Sequence, residues 1–451
     1  MDESPLKPFQ RWLWVLSTGG TLLDGFVIFA LGVAMPLIIA EFQIRPGVVG
    51  LIGAALVLGA VFGAGLGGPA ADRLGRKRLM LADMIIIGIG AATSALANGP
   101  TTLFIGQFLV GVGIGIDFPV SGTYISEVSP KRSRARMMVA TIACQSVGML
   151  LAAAITLLLL KNVRGAQNWR LFLATEGIIA LLFFLLRLSE PDSPHWLMTR
   201  GKFAKAAQAF IRIMPEQQGT VLQLTGNAGN QGLANSVAPA KPPGIAVLFS
   251  RPYRARTVLV AVPWFLMDIA TYGVGLFTPI ILGAIDISGR TGGLTHDLAA
   301  ARGSAAIDLF LLFGFLLGIW AVPRFGRIRM QAIGFGGMAV GMLILMKAVH
   351  LSNSSLHIPL VFAGFILFNF LMNAGPNATT FTLAPILFPT QLRATASGFA
   401  ASVAKIGATF GVFVLPILKG KFGVPAVLGM VAAVSVLGLV ITLVLRHEDT
   451  E

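Results

Sequence analysis

Apolar runs, each about long enough to cross a bilayer, alternate along the chain with short polar breaks. They fall near residues 12–40, 47–71, 79–97, 102–127, 135–160 and 169–188, and then near 257–283, 300–322, 330–349, 357–387, 394–418 and 424–446. A helix needs about 20 apolar residues to span the hydrocarbon, so the pattern predicts an all-α membrane protein with two groups of six spans. Three parts are expected: a six-helix bundle over 1–189, a central loop over 190–256 and a second six-helix bundle over 257–451. Within the loop, Trp196, Leu197, Phe203, Ala206, Ala207, Phe210 and Ile211 predict one short amphipathic helix over 196–213, lying at the membrane surface. Residues 214–243, rich in Gln, Gly, Asn, Ser and Pro, predict a flexible linker. The polar first ten residues do not read as a cleavable signal peptide.

Composition sharpens this picture. Of 451 residues, 55% are hydrophobic and only 12% charged, against about 25% charged in soluble domains. The 53 glycines suit close helix packing in a membrane. The runs Gly63-x-Gly65-x-Gly67 and Gly111-x-Gly113-x-Gly115 follow no strand and sit in apolar helices, so they read as packing rather than as nucleotide loops. A single cysteine, Cys144, gives no disulfide framework and no thiolate metal site. The five histidines lie in loops or at span ends without a ligand pattern, so neither metal, cofactor nor enzyme chemistry is expected.

The net charge of +15 comes largely from loops: Arg73, Arg76, Lys77 and Arg78; Lys131, Arg132, Arg134 and Arg136; Arg324, Arg327 and Arg329. Positive residues gather on cytoplasmic loops, which places both termini and the central loop in the cytoplasm of an inner-membrane protein. That reading accounts for the charge without a nucleic-acid partner.

Charged side chains inside the spans mark the candidate chemistry. An ionised Asp at the centre of a span costs about 2.5–3.5 kcal/mol on insertion scales, so it is rarely idle. Asp268 shares a helix face with Trp264 and Tyr272 at i, i+4, i+8 spacing, which predicts a cavity wall. Asp24 and Asp117 lie inside earlier spans, and Lys405 sits amid an apolar run, where it requires an anion or a carboxylate. Desolvation of such carboxyls makes Asp24, Asp117 and Asp268 candidate proton carriers. Gln145 and Asn377 offer neutral hydrogen bonds, whether to a solute or merely between helices. The halves also echo one another. Asp72-Arg73-Leu74-Gly75-Arg76 answers to Pro323-Arg324-Phe325-Gly326-Arg327, and both the Asp117–Gln145 and the Asn377–Lys405 separations are 28 positions. A duplicated six-helix unit points to a secondary transporter.

Gly68-x-x-x-Asp72-Arg73-x-Gly75-Arg76-Lys77-Arg78 between spans two and three resembles the loop motif of the major facilitator superfamily. The resemblance implies a cytoplasmic gate made by Asp72, Arg73, Gly75 and Arg76 with Glu127 and Arg134. Pro191-Asp192-Ser193-Pro194-His195-Trp196-Leu197 is similar to the segment after span six in sugar-porter-like members. More narrowly, Gly113-Ile114-Gly115-Ile116-Asp117-Phe118-Pro119, Trp264 through Gly273 and Gly375-Pro376-Asn377 resemble phosphate:proton symporters. By position, that family's substrate contacts are Phe118, Gln145, Trp264, Asp268, Tyr272 and Asn377, with Lys405 nearby; its proton carriers are Asp24, Asp117 and Asp268. The chain departs from the family where Val27 replaces a second span-one carboxylate, Phe118 a tyrosine, Gln107 an arginine and Ile386 a glutamate. The span-one segment Gly19 through Phe26 also looks like that of bacterial sugar-porter-like metabolite transporters. The expected function is proton-coupled symport of a small anion, inorganic phosphate foremost, by alternating access in a monomer whose partners are solute, protons and lipid. A sugar, a small organic or aromatic acid, and a sensor without transport stand as alternatives.

Overall fold

A computed structural model describes residues 3–44, 46–162, 168–219, 221, 244–284, 294–351 and 354–448. Among these the regular structure is helical: α1 (Pro8–Ser17), α2 (Gly19–Phe42), α3 (Pro46–Leu74), α4 (Arg76–Ala95), α5 (Pro100–Val128), α6 (Lys131–Asn162), α7 (Asn168–Arg187), α8 (Pro194–Thr199), α9 (Phe203–Ile213), α10 (Arg254–Ala284), α11 (Leu294–Phe325), α12 (Arg327–His350), α13 (His357–Ala374), α14 (Pro376–Leu387) and α15 (Arg393–Val444). Most of the predicted linker lies outside the described residues.

The helices follow the apolar runs, with two instructive differences. The runs at 394–418 and 424–446 are, as expected, two helices within the range given for α15; they meet at Gly423, whose φ of +79° is a conformation that an L side chain rarely adopts. The run at 357–387 is divided into α13 and α14. Gly375 takes φ −111° and ψ −101°, and Pro376 has no N–H to carry the ladder across. The loop forms two helices rather than one, because Gly201 turns the chain at φ +67°. Their apolar faces are covered by protein: Trp196, Leu197, Ala206 and Ala209 pack together, Ile213 and Met214 join Leu13 and Tyr124, and Trp196 Nε1 donates to the carbonyl of Asp72 at 2.9 Å.

By contact the chain forms two compact units. One comprises Met1–Arg254 with Ala384–Ser402; the other comprises Ala255–Leu383 with Val403–Glu451.

In the first unit, α3 runs along α5. Gly59, Gly63 and Gly67 of α3 and Gly111 and Gly115 of α5 each face the partner's backbone where a Cβ would collide. Dispersion between close backbones replaces the missing hydrophobic drive in lipid. The glycine runs are therefore a packing device.

The sequence echo has a backbone counterpart. Gly75 and Gly326, which precede α4 and α12, take φ/ψ of 104°/156° and 89°/152°. Both φ values are positive, so neither position accepts another residue without strain.

Candidate functional site

In the second unit the candidate residues lie on α10, α14 and α15. The helical register brings Trp264, Asp268 and Tyr272 onto one face of α10. Gly407 and Gly411 of α15 lie against the backbone of Phe265 and Ile269, so α15 approaches α10 closely. That approach brings Lys405 to the face. Its Nζ donates to Tyr272 Oη at 2.7 Å, lies 4.8 Å from the Tyr272 ring centre and 3.6 Å from Asp268 Oδ2. Lys405 is 6% exposed and Asp268 3%. Trp264 is buried and meets Phe381 edge-on at 6.5 Å. Asn377 Nδ2 donates to Asn373 Oδ1 at 2.8 Å, and Asn373 Nδ2 to the Asn369 carbonyl at 2.7 Å, which ties α14 to α13 across the Gly375 break.

In the first unit, Gln145 Nε2 of α6 donates to Asp24 Oδ2 of α2 at 2.7 Å. Gly25 makes the pair accessible, since a Cβ there would strike the Gln145 backbone. Asp117 and Phe118 are buried on α5. Asp117 does not join Asp24 and Gln145. Its carboxyl lies against Gly20, where a Cβ would occupy its place, and its Oδ1 accepts from Arg187 Nη2 at 2.9 Å.

Of the residues expected at a gate, Asp72, Arg76 and Glu127 meet within the first unit. Arg76 is fully buried and grips Glu127 with two bonds, Nε to Oε2 at 3.1 Å and Nη2 to Oε1 at 2.9 Å. Asp72 Oδ1 lies 3.1 Å from Arg76 Nη2, and its Oδ2 accepts from the Thr395 amide and hydroxyl, each at 2.8 Å. Arg393 Nη1 lies 3.7 Å from Glu127 Oε1, and Arg76 Nη2 also donates to the Thr390 carbonyl at 3.1 Å. Asp192 accepts from the amides of Arg76 and Lys77 at 3.2 and 3.4 Å, at the start of α4 where the helix dipole favours an anion. Burial pushes the Asp192 carboxyl above the usual carboxylate range, against the pull of those amides. Beside this cluster the Arg73 carbonyl accepts from Arg200 Nη2 at 2.9 Å, and Arg134 Nη2 donates to the Ser129 carbonyl at 3.4 Å.

Phe388-Pro389-Thr390-x-x-Arg393 belongs to the resemblance to phosphate:proton symporters and repeats Pro130…Arg134, but several pairings here escape sequence reasoning. Thr390, Arg393 and Thr395 reach Asp72, Arg76 and Glu127 across more than 250 residues, a pairing that no local pattern announces. Asp83 lies inside the run at 79–97, so an ionisable group within a span marks it as Asp24, Asp117 and Asp268 are marked. Arg187 closes the run at 169–188, where it looks like one more positive loop charge; Glu176, inside the same run, is fully buried.

The comparisons with known proteins agree on the class. The sugar (and other) transporter family matches residues 15–448. The chain is 27% identical over 447 residues to the putative metabolite transport protein YaaU of Escherichia coli (strain K12), covering 99% of this chain and 94% of that one. It is 28% identical over 372 residues to the low affinity inorganic phosphate transporter 4 of Lotus japonicus, covering 76% and 69%. Its fold is similar to that of the proton:xylose symporter XylE, with a TM-score of 0.78 at 20% identity over 96% of this chain and 94% of that one. The chain is therefore a member of the sugar (and other) transporter family, with the major facilitator fold of a multi-pass membrane transporter.

Proposed function

We propose that the protein is a proton-coupled symporter for a small anion, inorganic phosphate, working by alternating access in the inner membrane with both termini in the cytoplasm. The observation that carries this reading is the buried ammonium of Lys405, held by Tyr272 at 2.7 Å beside Asp268. A neutral solute makes no demand for such a charge, whereas an oxyanion takes it as countercharge and accepts several donors at once. Trp264, Tyr272 and Asn377 add neutral donors. Asp268 joins as a carboxylic acid: protonated, it donates to the anion, and its deprotonation repels the anion and aids release. The similarity to a plant phosphate transporter supports the choice of solute.

A neutral sugar is the second reading, favoured by one specific feature. Lys405 already has Asp268 as countercharge at 3.6 Å, so a neutral ligand leaves neither charge alone. Uptake into proteoliposomes under an imposed pH gradient separates the two. Uphill accumulation of phosphate, with no response to sugars or aromatic acids, is expected. Accumulation of a sugar but not of phosphate transfers the assignment to the second reading.

A further inference from the structure

The echo between Gly75-Arg76-Lys77-Arg78 and Gly326-Arg327-Ile328-Arg329 extends to two grooves that neither the Lys405–Asp268 pair nor the gate cluster uses. In the first unit a groove of about 320 Å³ opens between the start of α4 and the helices α8 and α9. Arg78, Lys202, Lys205 and Arg212 line it against one carboxylate, Asp192, which already accepts from the amides of Arg76 and Lys77. Lys205, Gln208 and Arg212 share an exposed face of α9, while Ala206, Ala209 and Ile213 form the side buried on protein. Lys202 Nζ lies 5.1 Å from the centre of the Trp196 ring, which keeps that charge at the wall of the groove. No ion pair among the described residues takes up Arg78, Lys205 or Arg212.

In the second unit a groove of about 500 Å³ lies where α12 begins and α15 ends. Arg329 and Arg446 supply its charge with His447 beside them, and no acid is among the described residues that line it. Glu448, next in the chain, is turned to Arg256 Nε at 3.4 Å.

From each groove the same kind of helix face continues into a span. At i+4, i+7 and i+11 from Arg78, α4 carries Ala82, Ile85 and Ile89; from Arg329, α12 carries Ile333, Gly336 and Val340. Ile85, Ile89, Ile333 and Val340 are 47%, 55%, 53% and 49% exposed, inside helices long and apolar enough to cross a membrane. Apolar side chains exposed there have acyl chains for solvent. Each stripe therefore leads acyl chains to an arginine at the end of the span, with further cations around it.

We infer that each unit holds an anionic phospholipid on the side of its basic loops, with the lipid phosphate in the cationic groove and an acyl chain along the exposed stripe of α4 or α12. The cations sit where a lipid-facing stripe ends, and long Lys and Arg stems reach from such a position to headgroups, which commits the grooves to lipid rather than to a soluble anion. A zwitterionic lipid carries its own cation into the groove, so net negative charge is selected. The two sites are independent of the transported solute.

The test is native mass spectrometry of the whole protein released from micelles that hold equal amounts of phosphatidylglycerol and phosphatidylcholine. The wild type should retain two phosphatidylglycerols in preference to phosphatidylcholine. One cation near an anionic lipid strengthens binding by roughly fivefold, so the loss of two should weaken a site by roughly 25-fold. Lys205→Gln with Arg212→Gln should remove one bound lipid, Arg329→Gln with Arg446→Gln the other, and all four substitutions both. These side chains are exposed, so the fold should survive, with thermal melting as the control. Lys205→Arg with Arg212→Lys, which keeps both charges, should retain both lipids. Equal retention of the two lipid types, or phosphatidylglycerol retention unchanged in the fourfold variant, overturns the inference. Displacement of the lipid by millimolar inorganic phosphate assigns the grooves to a soluble anion and equally overturns it.

Discussion

Replacing Lys405 tests the charge of the substrate directly. In the free protein its ammonium has a hydroxyl at 2.7 Å and a carboxylate at 3.6 Å, and the residue is 6% exposed. If an oxyanion completes this environment, Lys405→Ala removes the charged donor from a desolvated pair. Truncating one partner of such a pair typically costs 2–5 kcal/mol. A mid-range value of about 3 kcal/mol corresponds to roughly 100-fold weaker binding, at about 1.4 kcal/mol per factor of ten. Lys405→Arg keeps the charge but exchanges a compact ammonium for a planar fork, so its loss should stay within about tenfold. The assay is calorimetric titration of phosphate into purified protein across a pH series, with thermal melting of each variant as the folding control. Affinity for the wild type should fall as pH rises and the Asp268 proton is lost. Binding in Lys405→Ala within about threefold of wild type refutes the anion argument, since no desolvated charge pair is that cheap to break. Sugar binding that persists without pH dependence in Lys405→Ala supports the competing picture, in which Lys405 and Asp268 form a standing pair.

Two further outcomes follow from the same contacts. Asp268→Asn should abolish uphill accumulation while the protein still inserts and folds; unchanged pH-driven uptake removes Asp268 from the coupling step. Arg76→Ala leaves Asp72 and Glu127 buried without their guanidinium, a loss of about 3–5 kcal/mol that should appear as a lower melting temperature, whereas adding Glu127→Ala should recover part of it.

The bilayer explains why so much of the fold is legible in the chain. Every span has to be apolar over about 20 residues, so each leaves its outline in the sequence regardless of its neighbours. Breaks inside spans are fainter, because they turn on one or two residues. Gly375-Pro376 interrupts the run at 357–387 through one dipeptide, whereas the break at Gly423 sits in the gap Lys419-Gly420-Lys421-Phe422-Gly423 between two runs and is outlined by it. The Trp264–Asp268–Tyr272 face is legible because it needs only the helical period. Lys405 is legible because a mid-span cation is costly wherever it points. What it touches depends on Gly407 and Gly411 admitting α10, which is a fact about two backbones far apart in sequence.

Under the proposed function the two kinds of cation in these units divide the work between holding helices and meeting the solute. Arg76 and Arg187 are fully buried, and each spreads its N–H groups over carboxylates and backbone carbonyls from several helices. A planar fork engaged at all three nitrogens and fully buried is held by its helices, so these arginines fix helices and hold carboxyls at set distances. Lys405 is a point charge on a flexible stem, with one hydroxyl at hydrogen-bond distance and its carboxylate partner at 3.6 Å. Under the proposed function its three donors are what an arriving anion would meet. The residues that look most alike by charge therefore differ most in use. Under the proposed function the arginines hold their helices in place, while Lys405 is the charge that meets the solute.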